Sequence, residues 1–147
     1  MAFALGLEYC AFSGLIFVEY AMFASVSALL AAVQSGKANF DDVLNHINAH
    51  YEFTPTTFNN GAVNNPAGQN SGSCRVLAFA QLHHLNPLDT LSLFAEHYKA
   101  VAANPAGEDH QNIRQFKKYG WGGVQFKGQP LKTKVVVTEK PIDQKSI

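Results

Sequence analysis

Little in this sequence is charged. Asp, Glu, Lys and Arg make up 15% of the 147 residues, against roughly 25% in an average globular domain, and acids and bases balance at eleven each. The surplus of clustered Lys and Arg that marks a nucleic-acid-binding surface is missing, so no nucleic-acid partner is expected. Cysteine is almost absent: Cys10 and Cys74 stand alone, too few for a disulfide framework, and a reducing, cytoplasmic setting fits best. No Lys or Arg precedes Lys37, which removes the basic region that opens a secretory signal. The segment from Ala11 to Val33 is otherwise apolar and long enough to cross a bilayer. Glu19 interrupts it and no cation flanks it, which argues against a membrane span. Met22 offers an internal start, so residues 1–21 read as an apolar extension ahead of the folded domain.

What the chain does have is apolar residues, at 47%, and a length suited to one core that buries roughly two-thirds of the unfolded surface. Val26 to Gln34 reads as a helix stopped by Ser35 and Gly36. Asn39 is placed to cap a second helix with Asp42 at its third position, and Phe40, Val43, Leu44, Ile47 and Tyr51 form one buried stripe. From Glu52 to Gly72 the pattern dissolves into Thr, Asn, Gly and Pro, a long stretch of the kind that carries function in compact domains. Asn65-Pro66-Ala67-Gly68 and Asn104-Pro105-Ala106-Gly107 share type I turn chemistry, and each leads towards a helix. Cys74 to Leu85 is apolar on nearly every side, which predicts the central helix. Asn86, Pro87 and Asp89 open another helix running to about Tyr98. Asp109 is expected to cap the last, with Ile113 and Phe116 inward, Lys117 and Lys118 near its negative end, and Gly120 as its stop. Beyond Trp121 short β-prone runs appear at Val124 to Phe126 and Val135 to Val137. The fold class expected is therefore mainly α: an orthogonal bundle of about five helices with a long polar Asn/Gly-rich loop and minor β-structure near Tyr51 to Thr54 and at the C-terminus.

The blocks Phe53-Thr54-Pro55-Thr56, Phe58 with Asn60-Gly61, Gly68 to Cys74, and Asp109 to Arg114 through Gly120-Trp121 together resemble the HopJ type III effector family. The likeness runs from about Leu29 to Leu131, which sets a domain at 22–131 followed by a tail at 132–147. It implies a bacterial protein delivered into a host cell by a type III secretion system. It brings no agreed enzymatic activity, cofactor or catalytic residue to carry over. The apolar, acid-containing N-terminus departs from the polar start usual in secreted effectors.

Three groups of residues could carry chemistry. Asp42, His46 and His50 recur every fourth position on one helix, a spacing at which imidazoles and a carboxylate can share a metal. Helix-dipole complementarity explains the same residues, with Asp42 at the positive start and His50 at the negative end, so no metal is expected. Cys74 follows Gly72-Ser73 at a helix start, where free N–H groups favour a thiolate. Gln69 to Cys74 also resembles the nucleophile segment of papain-like cysteine proteases, with Gln69 as oxyanion donor, His110 as base and Asn112 or Asp109 orienting it. That reading makes the protein a cysteine hydrolase or acyl-transfer enzyme. Against it, the Cys to His separation is far shorter than in those enzymes, and Arg75 replaces the aromatic residue that follows their nucleophile. Free Cys is among the most buried residue types, so a packed, inert thiol is the expected account of Cys74. The third group is a ligand surface on loops 54–75 and 104–114. If the two helix starts lie side by side, their N–H groups form an anion-friendly pocket. Arg75 and Arg114, the two arginines of the chain, suit a carboxylate or phosphate there, and Asn60, Gln69, Asn70, Asp109, His110 and Trp121 complete the candidate set. The favoured expectation is a non-enzymatic interaction protein that grips a protein partner or small anion.

Overall fold

The computed structural model describes residues 25–134. The extension at 1–21, Met22 and the β-prone run at Val135 to Val137 lie outside that range. Helix α1 covers 25–34 and ends where Gly36 turns into the left-handed region at φ +81. Its Val26, Leu29 and Val33 enter the core. Helix α2 (Phe40–His50) starts on a reciprocal cap: Asn39 accepts from the Asp42 N–H, and the Asp42 carboxylate accepts from the Asn39 N–H, each at 2.9 Å. Two of the start's unpaired N–H groups are thereby satisfied. Val43 and Ile47 are fully buried on its inner stripe.

The α2 chain runs directly into strand β1 (Tyr51–Phe53), because Tyr51 is already extended. Strands β2 (Phe58–Asn60) and β3 (Val63–Asn65) form a hairpin around Gly61, whose φ is +61. A Cβ at Gly61 would collide with the side chains of Gln115 and Tyr119, so both the conformation and the close approach require glycine there. Helix α3 (Ser71–Leu82) is buried on nearly every side through Cys74, Val76, Leu77, Ala78, Phe79 and Ala80, and it is the central element. Helices α4 (Pro87–Ser92), α5 (Glu96–Ala103) and α6 (Gln111–Tyr119) follow, and a 3-10 turn (Gly120–Gly123) leads to β4 (Val124–Phe126) and β5 (Leu131–Thr133). The two late strands reach back to the early ones. β5 pairs antiparallel with β1 in the register Phe53↔Leu131, and β4 pairs antiparallel with β2 in the register Phe58↔Phe126, giving the order β3-β2-β4.

This architecture corrects the expectation of a mainly α bundle. Six helices and two small antiparallel sheets of five strands make the fold mixed α and β. The missed strands are β2 and β3, inside the stretch read as one polar loop, and β5, which lies at Leu131–Thr133 ahead of the run expected at Val135 to Val137. Three residues are too few to show a period of two, and Asn is poorly represented in strands, so their partners rather than their composition define them. Two boundaries also differ. The helix expected from Asn86 to about Tyr98 is broken at 93–95, where Ala95 takes φ +51, and the central helix begins at Ser71, so Cys74 is its fourth residue.

Candidate functional site

Helices α3 and α6 start in the same unusual way. Their N-cap residues, Asn70 (φ 53, ψ 43) and His110 (φ 51, ψ 49), are both left-handed, and neither side chain caps its own helix. A side chain in the usual extended cap conformation would fold back onto the free N–H groups. Here they are left open, and His110 rather than Asp109 holds the cap position of α6.

A chain of buried asparagines sets the two starts side by side. Asn60, Asn65 and Asn112 are 0%, 0% and 6% exposed. Asn60 Nδ2 donates to the Asn112 carbonyl (2.8 Å) and to Asn112 Oδ1 (2.9 Å), and Asn65 Nδ2 donates to Asn112 Oδ1 (3.1 Å). Asn112 Nδ2 returns a bond to Asn65 Oδ1 (2.9 Å), which also accepts from Asn70 Nδ2 at 2.7 Å. The hairpin strands β2 and β3 are thus bonded to the first turn of α6 and to the cap of α3. Buried amides are costly when unpaired, so the network fixes a single arrangement.

Between the two starts lies a cleft of about 360 Å³. Asn70, Gly72 and Ser73 line one side, and His110, Gln111 and Asn112 the other. Its floor is apolar, built from Phe40, Phe94 and Ile113, with the two phenyl rings stacked at 5.9 Å. His97 stands edge-on to Phe40 (4.9 Å) and stacks with His110 at 4.9 Å. Among the described residues no Lys, Arg, Asp or Glu lines the cleft. The lining offers backbone N–H donors, two imidazoles and an aromatic surface, which can bind and orient a ligand.

The remaining sequence candidates fall elsewhere. Arg114 lines no part of the cleft; it donates to the carbonyls of Asp109 (2.6 Å), Asn104 (2.9 Å) and Pro105 (3.2 Å) and to Asp109 Oδ1 (2.6 Å). It is a clip for the 104–109 loop, and its hydrogen bond holds the Asp109 carboxyl below the usual carboxylate range. Arg75 lies with its guanidinium 3.9 Å from the Phe53 ring centroid. Trp121 donates to the Leu85 carbonyl at 2.9 Å and packs on Phe116, and Gln69 is exposed outside the cleft.

Cys74 is 1% exposed, and its sulfur faces the Thr56 carbonyl at 3.8 Å. Burial pushes the thiol up to about 11. Its N–H bonds the Asn70 carbonyl, so it sits one turn inside α3, beyond the free N–H groups, and no hydrogen bond joins it to His110. Asp42 is taken up by the α2 cap, while His46 and His50 gather instead with His83 of α3 and Ser25 of α1. Among the described residues no group of three His, Cys, Asp or Glu side chains has the placement to hold a metal ion.

Sequence reasoning missed Phe40, Phe94 and His97 as parts of this region, while Asn65 and Ser73 fell inside the 54–75 loop without being singled out. The Asn65-Pro66 turn was the one available signal for Asn65; His97 gave none, because its partner His110 lies on a different helix.

A family model described as HopJ type III effector protein matches residues 26–131, a span that takes in the β3-β2-β4 sheet and the whole cleft and ends at the first residue of β5. The chain is also similar to a crystal structure described as that of the unknown-function protein VPA0580. The TM-score is 0.69, with 39% sequence identity over 74% of this chain and 92% of that one. No curated protein gives a match.

Proposed function

Starting from a chain that belongs to the HopJ type III effector protein family, we propose a binding protein whose working site is the cleft between the starts of α3 and α6. The ligand it suits is a small molecule or peptide end with one acidic head group on a flat or aliphatic body. The observation that carries this reading is the pair of uncapped, left-handed helix starts facing one cavity. Free N–H groups at a helix start attract an anion, and the macrodipole adds to that attraction. The Phe40, Phe94 and Ile113 floor takes the apolar body, while the imidazoles of His97 and His110 border it. The arginines play no part in the grip, since Arg114 is spent on the 104–109 loop. Family membership implies delivery into a host cell by a type III system, and the cleft would then act on a host ligand. No helix among the described residues is long and apolar enough to cross a membrane.

Thermal-shift titration with phosphate, acetate, benzoate and neutral benzamide tests this. Benzoate is expected to stabilise most and benzamide least. Ser73→Asp supplies the decisive comparison. A carboxylate at the third position of α3 favours the helix yet occupies its free N–H groups and repels an anion. The variant should melt no lower than the parent and lose benzoate affinity by roughly tenfold or more, the weight of about 1.4 kcal/mol. An anion shift that survives Ser73→Asp unchanged sinks the proposal.

A further inference from the structure

Helix α1 is fastened to the body at two places. At its far end Gln34 Nε2 donates to Asp89 Oδ1 (3.2 Å) and Ser92 Oγ (3.5 Å) of α4. At the first described residue, Ser25 Oγ lies 3.3 Å from His46 Nε2. Ser25 and Val26 close over a cluster made of His46 and His50 from α2, Tyr51 from β1, and Phe79 and His83 from α3, with no space between them for a water molecule.

The cluster brings three imidazoles together. The His46 and His50 rings are 4.5 Å apart, and His83 packs on Phe79 at 4.7 Å, which in turn meets the edge of His46 at 5.8 Å. Two bonds fix the rings: His50 Nδ1 donates to the His46 carbonyl at 2.9 Å, and the Tyr51 hydroxyl lies 2.6 Å from His83 Nε2. We propose that this three-histidine cluster is an acid-operated latch that holds α1 at Ser25 and Val26 at neutral pH and releases it when an imidazole takes up a proton.

Among the described residues nothing near the cluster balances a new cation. No carboxylate among them lines it. On α2, Asp41 and Asp42 stand at the opposite end of the helix, and on β1 Glu52 is exposed and sits across from Lys132. The other charged or titratable groups nearby are cationic or become so: His84 follows His83, and Lys134 is held on the Asn48 carbonyl at 2.7 Å. Among the described residues α1 brings no acid of its own. Burial first, then the facing imidazoles of His50 and His83, lower the His46 value; burial first, then His84, lowers that of His83. Both groups thus bind protons less readily folded than unfolded. Their stabilising contribution is complete at neutral pH and declines as pH falls below the ordinary histidine value of about 6.5. The latch is separate from the cleft, and neither reading depends on the other.

Hydrogen exchange of the full chain at pH 7.5 and 5.5, corrected for intrinsic rates, tests the latch. Peptides from 26–34 are expected to lose protection at pH 5.5, while peptides from α6 keep theirs. His46→Gln with His83→Gln retains polar side chains that cannot titrate, and it should abolish the pH response of α1. His50→Gln removes the neighbouring imidazole together with its ring contact and its bond to the His46 carbonyl; with the facing charge gone the release should move to lower pH, which keeps the test open if the double variant folds poorly. Protection of α1 that falls in step with α6, or a pH response that persists in the double variant, overturns the proposal. A release midpoint unmoved by His50→Gln does the same.

Discussion

With its sulfur against the Thr56 carbonyl and 1% of its surface exposed, Cys74 stays a neutral thiol at physiological pH. A thiolate is the reactive form, so iodoacetamide at pH 7.5 is expected to label Cys74 only as fast as the protein unfolds. Mass analysis of the separate Cys10 and Cys74 peptides checks this, and His110→Ala should leave the rate unchanged. Rapid labelling slowed by His110→Ala would restore the nucleophile reading. Cys74→Ser is expected to cost about 1–3 kcal/mol, the range for burying an imperfectly bonded hydroxyl. The sequence placed this residue near a helix start but could not place it one turn further in, because the left-handed cap at Asn70 leaves no mark in residue type. The asparagines were misread for a related reason. Asn60 and Asn65 look like loop residues, and their burial is tolerable only because the bonds they make to Asn112 come from a segment distant in sequence.

Among the elements, the helices were the most legible, since each carries its punctuation locally. Asn39 with Asp42, and Asn86 with Pro87, cap as their spacing suggests, and Gly36 and Gly120 both adopt positive φ where a stop was expected. The 104–109 loop was less so, because Asp109 reads as a cap yet serves as the partner of Arg114. The clip gives this loop a pH dependence of known sign. The Asp109 value is lowered chiefly by the Arg114 hydrogen bond, so the carboxylate's part of the tie is complete above the ordinary carboxylate range and weakens as pH falls below about 4, while the bonds to the three carbonyls do not titrate. Limited proteolysis at pH 7 should therefore spare the loop in the parent and cut it in Arg114→Ala. An acid-stable protease should cut the parent there more readily as pH falls to 3. Equal cutting of parent and variant at pH 7 would show that the clip does not hold the loop.

For the molecule as a whole, the core sets where the chain can be shortened. Val26, Leu29 and Val33 belong to the same core cluster as Val43, Ile47 and Phe79, so removing α1 altogether strips one wall from the core. A chain beginning at Met22 is expected to unfold in one transition, whereas a chain beginning at Gly36 should lose cooperativity, as calorimetry can report. A single transition in the shorter chain would mean that α1 is an appendage. The pairing of β1 with β5 and of β2 with β4 carries one more consequence, at the time of synthesis. As the chain leaves the ribosome, β1 and β2 emerge early, and their partners are among the last described residues to appear. Through most of its translation the nascent chain therefore presents open strand edges, which invite pairing with neighbouring chains until β4 and β5 arrive to close them.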